Sequence, residues 1–429
     1  MMASLAVARG AVIWFSSSNV TPSQKGAAPV IYFDPYDLSI DRDPYPVWRR
    51  LRDEAPCYYN DRYDFYALSR FADVLDASAD WHTYSSARGT VLESMDMRPM
   101  GPEGPGEGQG MMIFMDPPGH DGLRKLVSHS LTPRRVQELE DRLRQLCGQF
   151  LDPYVGTSGF DFVEDFGAKI PAMMIGALLG VPVEDQDQLR IWGDTFMRHD
   201  ADNPDKSEQL AAIVALNDYM QAMVKDRQQQ PRDDMVSDLL ATELTQEDGS
   251  IRRLTDGEVL SYFTLLQVAG SETTARLLGW AGVLLAAHPA ERAALVADRS
   301  LIPNAVEELL RYEAPSPIQA RYVTRDVSWH GVSVDAGSRL ALLTGSAGRD
   351  PRKYPDPDRF DVRRHFDRHV SFGHGIHFCL GASLARLEAK VALEETLQRF
   401  PQWTVEEDRV EFVHTTTVRG PSSVPFSLP

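Results

Sequence analysis

Along most of the chain, apolar residues recur at the three- and four-residue spacing of helices, and alternation with period two is confined to short stretches. The pattern predicts a mainly α fold with small β-sheets. Residues 34–52 carry helical spacing, whereas residues 57–68, rich in Tyr and Phe about Asn60-Asp61, read as a hairpin. From 134 to 230 the pattern is almost entirely helical, with a break expected at residues 201–204. Pro303 opens a further helix that ends before Pro315. Residues 327–334, 335–338 and 339–344 read as strand, turn and strand, and residues 349–366 as a loop dense in Pro, Asp and Arg.

One predicted helix stands apart. Thr255 and Glu258 have the spacing of a capping box, and no stop signal follows until Pro289, which gives a length of roughly 45 Å. Its apolar residues lie on more than one face, so it should be a buried central helix. A polar run interrupts it at Ala269-Gly270-Ser271-Glu272-Thr273-Thr274. Gly, Glu and two Thr inside a buried helix cost stability through backbone entropy and desolvation, and such local violations often mark function. The bland alternative is that Thr273 bonds back to a carbonyl one turn earlier while Glu272 finds a polar partner.

Residues 98–110 contain too much Gly and Pro for helix or strand and predict a loop. The methionines around it suit either a surface that re-packs around apolar ligands or simple filling. Residues 1–29 include one short apolar stretch interrupted by Arg9 and Gly10, too short to span a bilayer and unlike a signal peptide, so a disordered extension is expected. No other stretch approaches a membrane span. The net charge of −18 argues against a protein that wraps nucleic acid. Cys57, Cys147 and Cys379 are odd in number and far apart, which excludes a disulfide framework and fits a reducing cytoplasm. Length by itself leaves both one and several domains open.

The candidate chemistry lies near the C-terminus, in Phe372-Gly373-His374-Gly375-Ile376-His377-Phe378-Cys379-Leu380-Gly381, ahead of a helix-prone segment. Two glycines permit a tight turn that passes close to something flat and large. A cysteine at a helix start is favoured as the thiolate that a metal ligand requires. Three other readings exist. A lone cysteine is otherwise a small buried hydrophobe. His374, His377 and Cys379 are crowded for zinc ligands and lack a fourth. A nucleophilic cysteine would need a base, which His377 could supply only if the fold brings it into place.

Combined with Ala269-Gly270-x-Glu272-Thr273-Thr274, Glu308-x-x-Arg311 and His120-x-x-x-Arg124, this motif resembles the cytochromes P-450 from about residue 33 to the C-terminus. The resemblance implies the cytochrome P-450 fold, with a single haem-thiolate monooxygenase domain over residues 30–429. It makes Cys379 the axial sulfur ligand of haem b, with Phe372 shielding the sulfur and Gly381 among the residues that bind the cofactor. His120, Arg124, Arg321 and His377 become partners of the haem carboxylates, and Glu308 and Arg311 become structural. Ala269 and Gly270 would adjoin the haem, Gly270 leaving room for oxygen and substrate. Glu272 and Thr273 would be the acid and alcohol that relay protons.

The implied activity is hydroxylation or epoxidation of an apolar small molecule, with O2 and electrons from a ferredoxin and a ferredoxin reductase fed by NAD(P)H. Arg124, Lys125, Arg134, Arg135 and Arg386 would offer the donor a local basic face. A cytoplasmic monomer follows. A peroxide-driven or oxidative-coupling enzyme and a non-catalytic haem sensor are the rival readings. Residues 91–97, Met197, Leu265, Val268, Ala269 and 317–319 are candidates to line the pocket. Leu131 and Gly348 depart from the family pattern, which commonly has Phe and Asn there, and the loop at 98–110 is longer than expected.

Overall fold

The computed structural model describes residues 31–92, 95, 111–128, 131–197, 207–245, 249–415 and 417–429. The expected N-terminal extension, the Gly-rich loop and the break at 201–204 lie outside the described residues, as does the side chain of Met197.

The helices that position the site are, in chain order, α1 (Tyr45–Glu54), α2 (Phe71–Ala79), α3 (Gly119–Ser128), α4 (Glu140–Leu151), α5 (Lys169–Leu179), α6 (Val183–Met197), α7 (Ser207–Gln229), α8 (Asp256–Ala287), α9 (Ile302–Tyr312) and α10 (Ala382–Arg399). Pro44 separates α1 from a short helix, Leu38–Arg42, where one continuous helical stretch was expected. Within the long segment after residue 134, Gly180 in the left-handed conformation (φ 79°) ends α5.

The central helix α8 starts where its capping box predicts. Glu258 N–H donates to Thr255 Oγ1 at 3.2 Å, and Thr255 N–H donates to Glu258 Oε2 at 2.9 Å, so two orphan donors of the first turn are satisfied. The helix packs on α5, α7, α9 and α10 and buries Phe263, Leu278 and Leu285 completely. Among the described residues no single helix is long and apolar enough to cross a membrane.

Five strands form the main sheet: β1 (Cys57–Asn60), β2 (Phe65–Leu68), β3 (Tyr84–Ser85), β4 (Gln319–Val323) and β5 (Arg339–Leu342), in the order β1-β2-β5-β4-β3. β1 and β2 are the predicted hairpin. The prediction further along needs correction. Val327–Trp329 and Val332–Val334 form a hairpin of their own, turning at His330 and Gly331, whose φ values of 51° and 82° suit a two-residue turn. β5 pairs instead with β2 in parallel and with β4 antiparallel. It stops at Leu342, because Thr344 heads a short helix, Thr344–Gly348.

Glu308 and Arg311 hold the region below the cysteine loop together. Both are fully buried, with Nε–Oε2 at 2.6 Å and Nη2–Oε1 at 2.8 Å, and Arg311 also donates to Gly348 O (2.7 Å) and Pro357 O (2.9 Å). Every hydrogen-bonding direction of the pair is thus used, which a buried ion pair requires to offset desolvation. Gly348 has a steric reason here: a Cβ would collide with the Arg311 carbonyl.

Candidate active site

The cysteine loop is shaped by two glycines in the left-handed region, Gly373 (φ 70°) and Gly375 (φ 73°). The close approach that Gly375 permits is to α2, since a Cβ there would lie 2.6 Å from Ser78 O. Cys379 N–H donates to Phe372 O at 2.8 Å, which closes the loop. Gly381 is the N-cap of α10, so Cys379 stands two residues ahead of the N-cap rather than at the start of the helix.

Its electrostatics differ from the expectation accordingly. Burial pushes the Cys379 thiol up, against the Gly381 N–H bond and the nearby Arg124 and Arg386, which favour the thiolate. Desolvation of the anion wins over these donors. Only a cation in contact with the sulfur would reverse that balance, and a bound metal does so outright.

The four expected carboxylate partners converge from three elements. His120 and Arg124 come from α3, Arg321 from β4 and His377 from the cysteine loop. The rings of His120 and His377 are 4.6 Å apart. Burial pulls His377 down to about 3, and the neighbouring Arg321, His120 and Arg124 add to the effect, so its ring is neutral. Arg321 is 3% exposed and donates to Ala320 O and, at 3.5 Å, to Gln319 Oε1; burial pulls it down to about 10 although Asp116 is near. Arg124 reaches the Phe378 carbonyl and lies close to Cys379.

Only part of the donor capacity of these groups is met: His120 Nδ1 lies 3.0 Å from Asp121 Oδ1, and the arginines reach backbone carbonyls. Nε2 of both His120 and His377 is buried and unpartnered, and Arg321 has no carboxylate within ion-pair distance among the described residues. Buried polar atoms are rarely left so, and the two arginines can give charge-assisted bonds to a further acceptor. A planar cofactor carrying carboxylates at one edge and a metal for one sulfur fits these residues. Zinc does not: among the described residues no three His, Cys, Asp or Glu side chains group as a metal site.

On α8 the polar run is brought to a partly open stripe. Ala269 is exposed although it lies in the middle of a largely buried helix, and Thr273 is half-buried one turn on. Thr273 Oγ1 donates to Ala269 O at 2.8 Å, which is the bland bond foreseen for it. Glu272 is 7% exposed and bridged to Arg276, a partner that sequence reasoning missed although the i,i+4 spacing was legible. Asp194 of α6, bonded to Arg190 at 2.8 Å, is raised to about 6 by burial and by nearby Glu272; no sequence signal marked it. Gly270 has a packing reason to be small: a Cβ there would lie 2.7 Å from Ile175 Cδ1 of α5.

Phe372 packs under the Arg386 guanidinium, 4.6 Å from ring centroid to Cζ, and Phe378 exposes 40% of its surface. Arg386 is paired with Glu307 at 2.6 Å, so it adds less to a basic face than expected. Leu92, Met95 and Ile318, three pocket candidates, pack together with Trp48 in one apolar cluster.

Comparison with known proteins agrees with this arrangement. A family model for cytochrome P450 matches residues 196–424. Cytochrome P450 123 of Mycobacterium tuberculosis is 40% identical over 409 residues, covering 93% of this chain and 98% of that protein. The vitamin D(3) 25-hydroxylase of Pseudonocardia autotrophica is 37% identical, covering 90% and 94%. The structure of a mutant of P450 EryK in complex with erythromycin B is 33% identical, covers 90% of this chain and 96% of that one, and superposes with a TM-score of 0.79. With its cysteine loop, its buried donors and its central helix in the same chain, the protein belongs to the cytochrome P450 family and is a haem-dependent monooxygenase.

Proposed function

We propose that residues 30–429 form one domain that holds haem b by Cys379 and by the donors His120, Arg124, Arg321 and His377, and that it hydroxylates or epoxidises an apolar small molecule. The observation that carries this reading is the meeting of those four donors, two of them with orphaned buried nitrogens, beside a single unpaired sulfur. The bound haem supplies the activation of O2 by one-electron steps. Charge-assisted bonds from the cationic cluster orient it, and Phe372 and the loop backbone keep water from the sulfur.

Thr273 Oγ1 is suited to pass a proton to the reacting face once its bond to Ala269 O swings aside, and Glu272 to replenish that proton when one oxygen leaves Arg276. Leu265, Val268 and Ala269 line the same helix and favour an apolar substrate. The relatives named for vitamin D(3) and erythromycin B support a substrate of considerable size.

Electrons come, on this reading, from a ferredoxin and its reductase, docked where Phe378 is exposed near Arg124 and Lys125. The buried free thiols of Cys57 and Cys147 suit the reducing cytoplasm, where the protein acts as a monomer. The test is a screen of vitamin D(3), erythromycin-like and smaller apolar compounds for shifts in haem absorption, followed by turnover. Product that needs O2, NAD(P)H, ferredoxin and reductase is expected; product with peroxide alone, and none with the electron chain, would overturn the assignment.

A further inference from the structure

Met115 and Asp116, just ahead of α3, stand among the three elements that carry the four donors. The Met115 carbonyl accepts a bond from the His377 ring, whose Nε2 is the atom left without a partner. The Asp116 carbonyl accepts the His120 N–H at 3.1 Å and so sets the first turn of α3, which carries both His120 and Arg124. The Asp116 carboxylate reaches the edge of the main sheet. Its Oδ1 accepts the Ser86 N–H at 3.0 Å and its Oδ2 accepts the Ser85 hydroxyl, while Ser85 Oγ accepts the Ala87 N–H at 3.0 Å. Ser85 and Ser86 are both buried. Ser85 ends β3 and lies opposite Tyr322 of β4, the residue after Arg321. Asp116 is also the carboxylate whose charge favours the Arg321 cation against burial.

We propose that Asp116 is a positioning residue for the carboxylate end of the cofactor. Its bonds to Ser85 and Ser86 fix the spacing between the donors of α3 and Arg321 of β4, elements far apart in the chain. Two charge-assisted bonds from successive buried residues hold such a bracket more firmly than neutral ones would. Its charge meanwhile offsets part of the cationic cluster. Asp116 thus acts through Ser85, Ser86 and Arg321 and touches neither substrate nor cofactor. The two duties separate by substitution, because Asn has the same shape and can still accept from Ser86 N–H but carries no charge. A negative charge in a poorly screened site disfavours the addition of an electron nearby, so its loss moves the iron potential upward.

The inference rests on the reading that His120, Arg124, Arg321 and His377 hold the cofactor carboxylates, and the experiment tells the two apart. In the holoenzyme, the rate of haem transfer to an apoglobin acceptor and the midpoint potential by spectroelectrochemical titration are measured for each variant. Asp116→Ala should release haem about tenfold faster, as loss of a group behind the direct partners does. Ser85→Ala should shift release the same way by less and leave the potential in place. Asp116→Asn should raise the potential. A role limited to holding the turn would lower stability and leave the potential where it is, so an unchanged potential in Asp116→Asn overturns the charge role. A folded Asp116→Ala with wild-type haem release overturns the bracket, and should that variant not fold, a Ser85→Ala holoenzyme with wild-type release does so. Arg321→Met is the control for the underlying reading. If it releases haem faster while the Asp116 variants do not, the inference alone falls; if it and His120→Leu both release haem at the wild-type rate, the donor reading fails and takes the inference with it.

Discussion

Glu272 and Arg276, one turn apart on α8, form the bridge that fixes a carboxylate beside Thr273. Nε–Oε1 is 3.0 Å and Nη2–Oε2 is 3.3 Å, with side-chain exposures of 9% for Glu272 and 5% for Arg276. Arg276 is itself held by the carbonyl of Pro421, and a Cβ at Gly420 would lie 2.7 Å from its Cβ, so the C-terminal strand Arg419–Ser423 presses the pair into place. Removing one partner leaves a buried charge unpaired. Arg276→Met should destabilise the protein by about 3–5 kcal/mol in urea unfolding, and Glu272→Gln in the same chain should recover part of the loss. A single-variant loss near zero would show that water, not Arg276, solvates Glu272.

Thr273→Ala removes a half-buried hydroxyl whose one bond runs to its own helix. Stability should change by less than about 0.5 kcal/mol. The expected effect is on coupling, with NAD(P)H consumed as peroxide and product per NAD(P)H down by about tenfold or more. Unchanged coupling removes Thr273 from the relay.

The contact of Gly270 with Ile175 separates packing from access. Gly270→Ala should cost about 1–3 kcal/mol by overpacking, and Ile175→Ala should relieve that increment in a double-mutant cycle. A variant of full stability whose only defect is slower oxygen or substrate binding would favour the access role of this glycine over the packing role.

Two variants divide the duties around the cofactor. Cys379→Ser should abolish the thiolate-type carbon monoxide spectrum, and its retention refutes the ligand assignment. His120→Leu should keep that spectrum but lose haem faster to an apoglobin acceptor, because one buried donor to the cofactor carboxylates is gone.

Glu307 gives a pH dependence. Burial works to raise its carboxyl, but the bonds from His369 (3.1 Å) and Arg386 (2.6 Å) outweigh it and hold it at about 2 against an ordinary 4.5. A folded-state value below the unfolded one stabilises above about pH 4.5, and that contribution is lost as pH falls toward 2. With allowance for solvent near the pair it is about 1–2 kcal/mol. Glu307→Gln should flatten the acid limb of stability measured between pH 5 and pH 3; an unchanged limb would place the acid sensitivity in other groups.

The sequence by itself determined the long helix, because Thr255, Glu258 and Pro289 are local signals read within a few residues. It also determined the cysteine loop, because its glycines and Cys379 recur at fixed short spacing in a known family, and the Glu308–Arg311 pair, because three residues on a helix form one face. What only tertiary structure decided depends on residues far apart in the chain. The second hairpin hid at His330-Gly331, and β5 chose β2, more than 270 positions earlier, as its parallel neighbour. Gly270 packs against Ile175 of another helix, and burial raises the Cys379 thiol. Burial, close approach and the loss of a hydrogen-bond partner are properties of the packed chain, and no local spacing encodes them.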